Sequence, residues 1–225
     1  MIDRRLLLLS GLALAGLAAF PALAQSDDDD NSSNSQPGLS PEDKALADKA
    51  AAYLDGIGQA RGRFEQVDSR GGRVAGEVFL SRPGKARFAY DPPYGRLMIS
   101  DGKTVWVSDP RLKTLNHYPL KRTPLALFLS DHVRFDQGVV VDHVQRLADG
   151  FTLFLRDGHH SAQGEVALTF SSEPVRLREW SLTDSQGRTT TVRLLSLAPT
   201  SGLDPALFVG RAAPAAPAAD SQLGN

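Results

Sequence analysis

From Arg61 onward, apolar and polar residues alternate with a period of two, interrupted by turn residues roughly every 8–12 positions. The alternation is clear in Phe151, Leu153 and Leu155 against Thr152 and Arg156, and in Val166, Leu168 and Phe170 against Glu165 and Thr169. Gly71-Gly72, Pro83-Gly84, Pro92-Pro93-Tyr94-Gly95 and Gln186-Gly187 punctuate the run. Asp101-Gly102 and Asp149-Gly150 lie between apolar stretches and are hairpin signals. The pattern predicts antiparallel strands over 61–69, 73–82, 86–91, 96–100, 103–108 and 113–118, then over 138–148, 151–157, 165–171, 176–184 and 189–197.

Two stretches follow a helical period instead. Ser40-Pro41-Glu42-Asp43 has the form of a helix start, with Ser40 as N-cap, Pro41 in the first turn and Asp43 able to reach back as in a capping box. Leu46, Ala50, Tyr53, Leu54 and Ile57 then share one side, and the helix is expected to end near Gly56 or Gly58. "RTPLALFLSD" predicts a short helix between two halves of one sheet, with Thr123 able to cap and Leu125, Phe128 and Leu129 on one face. "LDPALF" (Leu203 to Phe208) offers one further turn.

About 11 strands at roughly 4.8 Å spacing would make a sheet some 50 Å across. A first helix about 25 Å long and a shorter second one cannot cover its apolar face while it stays flat. The sheet therefore curls, either into a closed and filled barrel or part-way, leaving an apolar cavity under a thin lid. Amphipathic helices need an apolar partner, which a sealed barrel would not offer; this favours the cavity. The expected fold class is mainly β with a few helices: a curved antiparallel sheet forming an unclosed barrel with a helical lid.

Arg82 breaks the apolar pattern, since it falls in phase with Val78 and Leu80. A three-residue connection Pro83-Gly84-Lys85 would pair Arg82 with Ala86 and Leu80 with Phe88, so that Phe88 and Tyr90 face the core and Arg82 stands at its rim. A charge there needs acceptors, and the free carbonyls at the end of the 124–130 helix are one source. The alternative is a strand-end arginine whose head reaches water.

Composition sets the compartment. Arg4 and Arg5 precede an apolar run from Leu6 to Phe20, and Ala22-Leu23-Ala24 offers a cleavage site before Gln25. Residues 1–24 are thus expected to be a cleaved export signal, through the general or the twin-arginine route, and the mature chain periplasmic. Residues 25–39, with "SDDDDNSSNSQPG", are expected to be an acidic linker, 40–210 the folded domain and 211–225 a Pro/Ala-rich flexible tail. There are no cysteines, which removes disulfides, thiol chemistry and Cys-ligated metals. The net charge of −1 does not argue for nucleic acid.

Nothing in the pattern assembles a catalytic group. The 5 histidines (His117, His132, His143, His159 and His160) form no zinc motif. Asp131-His132 and Asp142-His143 are sequence neighbours, which in a strand point to opposite faces. There is no nucleophile elbow, P-loop or dinucleotide fingerprint. A non-enzyme without cofactor or metal is expected.

Four segments, "GRFEQ", "GEVFLSRPGKARFAYDPP", "ISDGKTVWVSDP" and "TPLALFLSD", resemble in order and spacing the periplasmic outer-membrane lipoprotein carriers of the LolA type. The likeness spans roughly 42–208. It implies an acyl-chain cavity, here expected to involve Val78, Leu80, Phe88, Tyr90, Trp106, Leu125 and Phe128, and it implies that Arg82 latches the lid. It also implies three partners: acylated lipoproteins, an inner-membrane ABC transporter that releases them, and an outer-membrane receptor. The carrier is expected to act as a monomer. Two departures stand out: Phe88 where the family commonly has Trp, and Ala86 where it often has a bulky apolar residue. Thr104, Trp106 and Ser108 share a face opposite Val105 and Val107, so Trp106 is readable as core or as cavity lining. The alternatives on the same fold are a lipid- or lipoprotein-sensing regulatory module and a general lipid shuttle.

Overall fold

The computed structural model describes residues 38–135, 139–157 and 164–210. The predicted signal, most of the acidic linker, the His159-His160 pair and the C-terminal tail lie outside them.

Ser40 starts the first helix as expected, its Oγ accepting from the Asp43 N–H at 3.1 Å, with Pro41 in the first turn. The helix, α1, runs Pro41–Asp55 and ends at Gly56. Ala47, Ala50 and Leu54 form its buried stripe. The Asp43 carboxylate accepts from Arg146 at 2.9 Å, and this bond, followed by one with the Ser40 side chain, holds its carboxyl below the usual range.

Eleven strands follow: β1 (Gln59–Val67), β2 (Arg73–Ser81), β3 (Lys85–Tyr90), β4 (Leu97–Asp101), β5 (Thr104–Asp109) and β6 (Thr114–Pro119), then β7 (Val139–Leu147), β8 (Gly150–Asp157), β9 (Glu165–Ser172), β10 (Val175–Thr183) and β11 (Thr189–Pro199). All pairings are antiparallel, in the order β6-β5-β4-β3-β2-β1-β11-β10-β9-β8-β7. Two meanders therefore meet where β1 pairs β11, and β6 and β7 remain as edges. The barrel is unclosed. The seam is tight: a Cβ at Gly62 would collide with the Ser196 carbonyl across it, so only glycine fits.

The sheet curls strongly. β3 and β10 stand four positions apart, roughly 19 Å in a flat sheet, yet the rings of Phe88 and Trp180 lie 6.0 Å apart. Register shifts at Arg63/Phe64, Leu177/Glu179 and Val141/His143 mark where bulges bend the strands. The core lines the concave face, with Phe64, Val78, Phe151, Leu153, Leu168 and Phe170 almost fully buried.

Between the edge strands the chain forms a short 3₁₀ turn (Leu120–Arg122) and α2 (Leu125–Leu129). Thr123 does not cap α2; its hydroxyl donates back to the Leu120 carbonyl at 2.8 Å, and no side chain caps the helix. The last turn, Pro205–Phe208, packs against β3 and β4, where Arg87 Nη1 donates to the Leu207 carbonyl at 3.2 Å.

Candidate functional site

The concave face, the end of α1 and the underside of α2 enclose an apolar cavity of about 40 Å³. β2 supplies Val78 and Leu80, β3 supplies Ala86 and Phe88, and α2 supplies Leu125 and Phe128. Trp180 from β10 closes the far wall, its ring 5.4 Å from that of Phe128. Five of the seven residues expected around an acyl chain are thus brought together, and Arg82 lines the same space.

Tyr90 and Trp106 do not line it. Tyr90 keeps to the concave face but lies beyond Phe88, against the edge of the Phe64 ring, and its hydroxyl donates to Gln66 Oε1 at 2.7 Å. Burial pushes its phenol up to about 12. Trp106 is on the other side of the sheet. Val105 and Val107 pack into the core, so the period of two turns Trp106 outward. There its Nε1 donates to Asp101 Oδ2 at 2.9 Å and its ring lies against His117. Burial works against the Asp101 carboxylate, but the N–H groups of Trp106, Thr104 and Lys103 outweigh it and hold the carboxyl below its usual range.

Arg82 sits in the β2–β3 turn with its side chain 5% exposed. The turn differs from the expected one. Ser81 pairs Lys85, Leu80 pairs Ala86 and Val78 pairs Phe88, so the connection is Arg82-Pro83-Gly84 and the register is displaced by two. Both registers point the same residues inward. In this register the turn atoms are bonded elsewhere: the Arg82 N–H donates to the Gly58 carbonyl at 2.9 Å and the Gly84 N–H to the Leu129 carbonyl at 2.7 Å. Gly84 has φ +79°, open to glycine and costly for other residues.

A polar cluster pins the lid from this turn. Arg82 Nη2 donates to the Ser130 carbonyl at 2.7 Å and to Asp55 Oδ1 at 3.3 Å. The Val133 N–H donates to the same Asp55 oxygen at 2.8 Å. The turn therefore takes up the last carbonyls of α2, while Asp55 ties the end of α1 to the segment after α2. The buried Ser100 hydroxyl donates to the Gly84 carbonyl at 2.6 Å and steadies the turn from below. Sequence reasoning missed Asp55, and it missed Leu177, Leu194 and Leu197, which reach the cavity from the far half of the sheet.

The sequence model of the family described as "Outer membrane lipoprotein carrier protein LolA" matches residues 55–210. This chain belongs to the LolA family. Among its relatives, the outer-membrane lipoprotein carrier protein of Xylella fastidiosa is 29% identical over 63% of this chain and 72% of its own length. That of Azotobacter vinelandii is 26% identical over 74% of this chain and 84% of its own. Of solved structures, a LolA superfamily protein from Nitrosomonas europaea aligns with a TM-score of 0.43 and 10% identity, covering 74% of this chain and 96% of that one. The residues that line the cavity, Leu54 apart, lie within the LolA-family region, as do Asp55, Arg82, Ser130 and Val133 of the polar cluster.

Proposed function

We propose that this protein is a periplasmic carrier: it shelters the acyl chains of lipoproteins that leave the inner membrane and delivers them to an outer-membrane receptor. The observation that carries this is an apolar cavity under a lid of two helix ends held by a few polar bonds, on a chain of the LolA family.

Each methylene withdrawn from water is worth about 0.8 kcal/mol, so an acyl chain does not cross an aqueous space alone. The cavity of about 40 Å³ holds about three waters, far short of a fatty acyl chain. Loading therefore requires opening, and opening exposes the apolar underside of α2. Part of the binding free energy offsets that exposure, which keeps affinity moderate and lets a receptor with a preformed apolar site take the cargo. In this scheme an ABC transporter supplies lipoprotein at the inner membrane, residues 1–24 direct export, and Arg82 with Asp55 sets the cost of opening.

The test adds purified residues 25–225 to spheroplasts producing a labelled lipoprotein. Label in a soluble complex with this protein is the expected result. If the label stays on the membrane while the protein still binds free lipid, the carrier reading gives way to a general lipid shuttle.

A further inference from the structure

Arg82 has more donors than its latch uses. Its Nη2 serves both Ser130 and Asp55, but Nε and Nη1 are buried and have no hydrogen-bond acceptor among the described residues. Among the described residues lining the apolar cavity, Arg82 is the one that carries a charge. A latch alone does not account for this arrangement. A buried donor left without an acceptor is destabilising, and a guanidinium cannot shed its proton to avoid the cost.

An acyl chain brings what these donors lack. At its head stands a carbonyl or carboxylate oxygen, joined directly to hydrocarbon of the kind the cavity walls accept. We propose that Arg82 is also the head-group receptor of the cavity: Nε and Nη1 take acyl oxygen atoms, from a carboxylate or an ester, at the mouth, while the chain lies against Phe88, Phe128 and Trp180. Arg82 then has two sets of acceptors, the lid's and the ligand's. Oxygens from a ligand compensate the bonds to Ser130 and Asp55 that opening breaks, which hydrocarbon cannot do. The cavity accordingly distinguishes acyl head groups, which bring two oxygens for the two donors, from an alcohol of equal length, which brings one. This rests on reading the cavity as an acyl-chain site, but not on a lipoprotein being the cargo.

The test compares three probes with the same 16-carbon chain, delivered from one cyclodextrin stock to the mature chain: palmitate, methyl palmitate and hexadecanol. The expected order places palmitate and methyl palmitate above hexadecanol, with at least about a tenfold preference for palmitate from charge-assisted bonding. The order of the first two separates a carboxylate receptor from an ester receptor. Arg82→Leu should bring the three affinities together while hexadecanol still binds, and Arg82→Lys should restore part of the palmitate preference. With carboxyl-labelled palmitate, the bound carboxyl should titrate at lower pH in the wild type than in Arg82→Leu. Equal binding of all three probes by the wild type would overturn the head-group role and leave the acyl cavity standing. Failure of the wild type to bind any of them would overturn both. Should Arg82→Leu not fold, the wild-type ranking and the titration of bound palmitate against free palmitate still decide the question.

Discussion

The underside of the lid and its rim are held by opposite kinds of force. Underneath, Leu125 and Phe128 meet Phe88 and Trp180 through contacts that have no preferred direction. Any apolar chain of suitable width can replace them. At the rim, Arg82, Gly84 and Asp55 engage Leu129, Ser130 and Val133 through directional bonds that hydrocarbon cannot reproduce. A ligand's chain can therefore offset the loss of the underside contacts and leaves the rim bonds unreplaced. Under the proposed carrier reading, the underside sets how strongly a chain is held, and the rim sets how often the cavity opens.

The largest effect should come from the wall. Trp180→Ala removes a ring that touches both Phe88 and Phe128, and should destabilise the fold by about 3–5 kcal/mol, read by urea denaturation. Acyl binding should fall with it. A variant with unaltered stability would show that this wall does not carry the core. Next comes Gly84→Ala at the rim. At φ +79°, with a Cβ placed 2.8 Å from the Gly102 Cα, it should cost about 1–3 kcal/mol. Because the Leu129 bond starts from this residue, uptake of an apolar fluorescent probe should speed up, the reverse of what Trp180→Ala does.

Asp55→Asn is milder. It keeps an oxygen for Val133 but removes the charge facing Arg82, and with Asp55 about a third exposed the loss should be under about 1 kcal/mol. Hydrogen exchange at the Val133 amide should rise several-fold while the melting temperature barely moves. If the amide exchanges as in the wild type, Asp55 is not a pin of the lid. Tyr90 contributes on a similar scale at neutral pH and is set apart by its pH dependence. Its phenol, ordinarily near 10, is pushed up to about 12, so the folded state keeps a proton that the unfolded chain releases. That contribution is constant below about pH 10 and is lost as pH rises toward 12. Tyr90→Phe should cost about 1 kcal/mol at neutral pH and lose the alkaline slope. Parallel stability curves for the two proteins above pH 10 would remove Tyr90 from the account.

The strands were legible because alternation and turn residues are local properties, and each strand carries its own copy of both. The α1 boundaries were legible for the same reason, through Ser40 and Pro41. What escaped depends on partners far away in sequence. The β2–β3 register is fixed by Gly58 and Leu129, and alternation cannot tell two registers that differ by two residues. Trp106 was ambiguous because both faces of β5 carry apolar groups, and only the packing of Val105 and Val107 decides which is inner. Asp55 looked like one more charge at a helix end. Its meaning comes from Arg82 and Val133, which the fold brings to it.

The pairing of β1 with β11 bears on the order in which the protein comes together. The other strand pairs join neighbours in sequence and can form as each hairpin is completed, whereas this seam unites Phe64 with Leu194. Closing so long a loop is entropically unfavourable, and contacts of high sequence separation form slowly. The two meanders should therefore assemble as separate halves, with the seam zipping last. The cavity draws its walls from both halves, so under the proposed carrier reading no acyl chain can be sheltered before the final strand is in place. A chain cut between α2 and β7 would offer those halves as two fragments, able to recover the cavity only by complementing each other along β1 and β11.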